Sequence, residues 1–84
     1  MSSIDWNKEA RRVLKYELAI RQIGHKELLN KLTLIGVNET ERSIASKISR
    51  GTFSFAFFLQ CMRALGVQAL DVSGEPVSSV QRRL

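Results

Sequence analysis

Between Asn38 and Gly51 the chain sets small hydroxyls, basic groups and aliphatic side chains at helical spacing. At 100° per residue, Ile44, Ala45 and Ile48 share one side of a helix, and Ser43, Ser46, Lys47 and Arg50 fall on the other. Hydroxyls and cationic nitrogens are the donors that meet phosphate oxygens and base edges, and short serines let a helix come close to the major groove. On this reading Arg42, Ser43 and Ser46 are candidates for base edges, and Lys26, Lys47 and Arg50 for phosphates. A solvated, well-capped surface helix has the same outward face, so these residues leave both readings open.

The remaining reactive side chains are sparse. His25 is the only histidine and falls at the start of a helical segment. With no other histidine and no cysteine nearby it is a poor metal ligand, and it suits capping, packing or a phosphate contact instead. Cys61 is the only cysteine and lies in an apolar run, which fits a buried structural thiol better than a nucleophile. Serines are plentiful, but nothing polar clusters around the one histidine and no glycine-rich phosphate loop is present. The sequence therefore gives no grounds to expect an enzyme, a cofactor or a small-molecule substrate.

Those candidate residues need helices to position them. Trp6, Ala10, Val13, Leu14 and Leu18 recur at intervals of three and four and predict a first helix over Asp5–Gln22, ended by Gly24. Lys8, Arg11, Arg12 and Lys15 lie largely off that stripe and read mainly as a solvated face, with a phosphate role open for one or two of them. A second helix is expected from His25 or Lys26, burying Leu28, Leu29, Leu32 and Ile35 and stopping at Gly36, with Val37 plugging the joint. Asn38 is the expected N-cap of the third helix, with Glu41 as its capping-box acid and Gly51 as its stop. A fourth helix is expected over Phe55–Leu65, ended by Gly66. Phe55, Phe58, Leu59, Met62 and Leu65 form one apolar stripe, read as inward. Phe57, Cys61 and Ala64 form a second, either central or buried against another copy, and these three are the candidate dimer contacts. Val67–Val72 reads as an extended edge or a last packed turn, and residues 73–84 as a loose tail.

The totals bound the problem. The 84 residues make one domain near the lower size limit for a self-sufficient core, so burial against a second copy is plausible on size alone. The net charge is +5. Residues 1–24 and 25–51 each carry five basic and three acidic groups, and residues 52–84 carry three and two, so the charge is not confined to a tail. That balance favours an anionic partner without requiring one. The N-terminus has no basic-then-apolar leader and no run is long enough to span a membrane, so a cytoplasmic protein is expected.

The second and third helices with their glycine-containing joint resemble a helix–turn–helix. The stretch Ser46-Lys47-Ile48-Ser49-Arg50-Gly51, followed by an apolar helix ending Ala64-Leu65-Gly66-Val67, resembles the lambda-repressor-like, Xre-type domains. That resemblance covers about residues 10–67 and implies an all-α domain of four or five helices, with or without a short C-terminal extended segment; the domain is expected to span residues 1–72. It also implies a phosphate contact near His25 and a third helix that presents Arg42, Ser43, Ser46 and Lys47 to the major groove, with Arg50 near the backbone. A closer similarity is to a small bacterial family catalogued as domain of unknown function 6471. It is carried by Ile35–Arg42, Lys47–Phe53, Phe57–Cys61 and Gly66-Val67, and it implies a helix–turn–helix-like fold with no established activity. The interval from Leu32 to Gly51 exceeds the compact Xre spacing by roughly one to two helical turns. It places Glu39 near the outward line as an exposed acid that would repel phosphate, with Arg42 as its nearest partner.

The expectation is a small bacterial regulator that binds double-stranded DNA as a homodimer. The alternative is a protein-interaction module that keeps the helix–turn–helix without binding DNA.

Overall fold

A computed structural model describes residues 3–72, which form four helices: α1 (Trp6–Ile20), α2 (His25–Leu34), α3 (Glu41–Arg50) and α4 (Phe55–Leu65). There is no strand among the described residues, so the domain is all-α. Val67–Val72 pairs with nothing as a strand; Val67 and Leu70 instead pack against the core. The tail expected at 73–84 lies outside the described residues.

Every helix supplies a pair four residues apart to one shared core: Leu14 and Leu18, Leu28 and Leu32, Ile44 and Ile48, Phe57 and Cys61, with Met62 alongside. Side chains at i and i+4 stack on one face of a helix, so four such pairs converge without any long excursion of the chain. α2 packs on α4 and on α3, and α1 on α3. α1 also carries one buried charge, Glu17, which accepts from the Arg21 guanidinium at 2.6 Å one turn later.

Local chemistry sets the helix ends, in places by residues other than those expected. The Asp5 carboxylate accepts from the backbone N–H groups of Asn7 and Lys8 at 3.1 Å and starts α1. That helix stops at Ile20, and Gln22 (φ 57°) takes the left-handed turn expected of Gly24. Gly24 has an ordinary negative φ and serves as the N-cap of α2. α2 ends one residue before Ile35, which therefore leaves the helical face and stands exposed, while Val37 packs against the core as expected.

α3 begins two residues later than Asn38 would set it. The Thr40 hydroxyl accepts from the Ser43 N–H, and the Ser43 hydroxyl accepts from the Thr40 N–H, both at 3.0 Å. The capping box is thus Thr40 with Ser43, and neither Asn38 nor Glu41 takes part.

The largest departure is in α4. Phe57 and Cys61 are 2% and 0% exposed, inside the core of a single chain, and Ala64 is half-buried. Phe57 and Cys61 leave no surface for a second copy. Phe55 and Leu59, expected inward, stand outward instead. α4 is apolar on two faces, and the core holds Phe57 and Cys61 of one stripe together with Met62 of the other.

Candidate nucleic-acid interface

The face that α3 turns outward is decided by what holds its other face. Ile44 and Ile48 are buried. At its C-terminal end, the Arg11 guanidinium donates to the Ser49 carbonyl at 2.7 Å, placing a cation where the helix dipole is negative. Gly51 follows with φ +70°, and the Asn7 carbonyl of α1 occupies the space a side chain there would need. Two close contacts to α1 therefore fix how α3 is rolled.

Opposite that anchored side run Arg42, Ser46 and Arg50, four residues apart and so on one line. Arg42 and Arg50 are exposed and Ser46 is half-buried. Next to this line a hollow of about 250 Å³ opens between α1, α2 and α3, lined by Arg11, Lys15, His25, Ala45, Ile48 and Ser49. His25 stands there on the first turn of α2, whose N-cap, Gly24, makes no side-chain cap bond. Lys26 beside it is exposed. Uncapped N–H groups at a helix start and nearby cations are complementary to an anion.

Two of the sequence-derived candidates do other work. Ser43 spends its hydroxyl on the cap and on a hydrogen bond to the Glu39 carboxylate. Lys47 Nζ lies 2.6 Å from Glu39 Oε2 and 4.7 Å from the centroid of the Phe57 ring, so it bridges the α2–α3 joint, α3 and α4.

Glu39 itself is not the exposed acid that its sequence position suggested. Its side chain is 10% exposed, and its ion-pair partner is Lys47, not Arg42. The physical cause is the late start of α3: Glu39 precedes the N-cap, off the helix, and folds back toward Lys47 instead of projecting from a leading turn. Burial alone would raise its carboxyl. Hydrogen bonds from Lys47 and Ser43, together with the Lys47 charge, outweigh that and hold it below the ordinary carboxylate value. Nearby, burial and then the Glu39 charge push the Cys61 thiol up to about 12, which leaves it a protonated core group.

Of the seven candidates, the structure thus brings Arg42, Ser46 and Arg50 onto one line, with His25 and Lys26 at the adjoining helix start. Ser43 and Lys47 are turned to intrachain bonds. Arg11 and Lys15, two of the four bases for which a phosphate role was left open, line the same hollow, and Ser49 was missed. The four-residue spacing of Arg11 and Lys15 places them on one face of α1, but nothing in that spacing says the face meets α2 and α3.

No curated protein and no solved structure matches this chain. A family model does, over residues 6–70, from the start of α1 to the core-packed Leu70. The chain belongs to the family described as a domain of unknown function, DUF6471.

Proposed function

We propose that the protein binds double-stranded DNA through a helix–turn–helix formed by α2 and α3, acting as a dimeric bacterial transcriptional regulator in the cytoplasm. The observation that carries the reading is the line Arg42–Ser46–Arg50 on the outward face of α3, beside the basic hollow at the start of α2. Arg42 and Ser46 reach base edges in the major groove, and Arg50, Lys26 and His25 meet the flanking phosphates. A two-fold dimer sets two copies of α3 about one DNA turn apart. The pairing of Glu39 with Lys47 supports the reading, because it removes the acid that would have repelled phosphate.

A fluorescence anisotropy titration of the full chain against a pool of random duplexes tests the proposal. Binding at low salt, falling steeply as salt is added, is the expected result. Absence of binding at low salt would return the module to the protein-interaction class.

A further inference from the structure

The outward face of α4 is the part of the molecule whose chemistry remains unused. Phe55 is 72% exposed, Leu59 one turn later is 51% exposed, and Trp6 of α1 is 71% exposed. Phe55 stands at the lip of an apolar hollow of about 420 Å³ lined by Trp6, Val13, Phe53, Phe58, Leu70 and Val72. Leu59 stands at the lip of a second, of about 560 Å³, lined with Ile35, Val37, Met62 and Val67.

We propose that this face, a ridge of Phe55 and Leu59 flanked by two apolar hollows, is where a second copy of the chain docks, with the two α4 helices antiparallel. The inference rests on the dimeric part of the reading above and names the surface that part requires.

Three observations select a second copy as the occupant. The first is shape. A two-fold contact uses one patch on both partners, so that patch must contain both the projection and the recess it enters. This face has both: an antiparallel pairing seats the Phe55–Leu59 ridge of each copy in the recesses of the other.

The second is charge. Two copies of a +5 chain repel unless they meet where basic groups are few. The only charged residue of α4 is Arg63, at the rim of the Leu59 hollow. At the rim of the Phe55 hollow Glu9 accepts from Arg12 of its own chain at 3.1 Å, with the two side chains 38% and 39% exposed and the carboxylate's remaining lone pairs open to a second cation. Antiparallel pairing brings Arg63 of each copy toward Glu9 of the other.

The third is area. Trp6 and Phe55 alone expose roughly 300 Å², and Leu59, Ile35 and Val72 bring the apolar centre to roughly 500 Å². With a polar rim, that is the size of the roughly 800 Å² each partner buries in a standard interface.

Trp6 is the only tryptophan, which makes it a reporter of this contact. The test is sedimentation equilibrium of the full chain over a range of concentrations, with Trp6 emission followed over the same range. The wild type is expected to pass from the mass of one chain to that of two as Trp6 emission shifts to the blue. Because both side chains are exposed, the variant F55S/L59R is expected to keep its helical circular dichroism while the dimer weakens at least about tenfold. Its melting point, lowered slightly by the lost Phe55–Phe58 stacking, is expected to lose the dependence on protein concentration that dimerisation gives the wild type. R63E is expected to weaken the dimer as well, and E9K/R63E to recover part of the loss.

A wild-type dimer that ignores F55S/L59R overturns this surface but leaves the dimeric reading standing. A wild type that stays at one chain with Trp6 exposed overturns both. One chain with Trp6 already shielded overturns the proposal as well. DNA binding is scored separately by anisotropy, so its failure is not confused with any of these.

Discussion

Replacing Gly51 by alanine tests the contact that orients α3. At φ +70° an L-residue incurs the left-handed penalty of about 1–2 kcal/mol, partly offset by the lower entropy of the unfolded chain. A Cβ at this position would also lie 2.1 Å from the Asn7 carbonyl oxygen and 2.9 Å from its carbon. That obstacle is backbone in the first turn of α1, so α1 must move off the end of α3, at a cost of about 1–3 kcal/mol. Together these amount to about 3 kcal/mol. For a domain of this size that is a fall in Tm of about 12–24 °C. Gly36 supplies the control: its φ is +85°, yet nothing lies within 4 Å of a built Cβ. Gly36→Ala therefore carries the conformational part alone, about 1 kcal/mol, or about 4–8 °C. Thermal melts of the two variants followed by circular dichroism give the comparison. Equal losses would refute the claim that α1 is seated directly against the end of α3.

Other consequences are as specific. Glu39 is held below the ordinary 4.5, so its contribution to stability is present above that pH and is lost as the pH falls through the lowered value. The Tm gap between wild type and Glu39→Gln should therefore narrow on acidification below about pH 4.5; a constant gap would contradict the ion pair. Lys47→Met should lower Tm by stranding a largely buried carboxylate while leaving the salt slope of DNA binding unchanged. Arg50→Ala should do the reverse, reducing that slope by about one with little change in Tm. Cys61 should resist a thiol reagent at pH 8 in the native protein and react at least about a thousandfold faster in denaturant. Fast native labelling would place it outside the core.

Much of this architecture is legible in the residues. The pairs Leu14/Leu18, Leu28/Leu32 and Ile44/Ile48 stand out because the opposite face of each helix is mostly polar, with Arg12 and Glu9, Asn30 and Lys26, and Arg42, Ser46 and Arg50, so one face is favoured for burial. α4 was legible as a helix but not in its orientation. Both Phe55/Leu59 and Phe57/Cys61 satisfy the same four-residue spacing, so the spacing alone does not choose between them, and the structure buries the second pair. The start of α3 was ambiguous for a similar reason, since Asn38 and Thr40 are both competent N-caps. A shift of two residues decided the fate of Glu39, and with it that of Lys47, eight residues away. The basic hollow was the least visible feature. Arg11, Lys15, His25 and Ser49 come from three helices, and their meeting is a property of packing that no local pattern encodes.

The central claim is that the outward face of α3 and the start of α2 together meet DNA. The most direct measurement is a backbone amide NMR titration of the full chain with a short duplex at low salt. Shifts concentrated at Lys26, Arg42, Ser46, Ser49 and Arg50, with Phe57 and Cys61 unmoved, are the predicted result. Shifts confined to Trp6, Phe55 and Leu59, or no shifts at all, would contradict it.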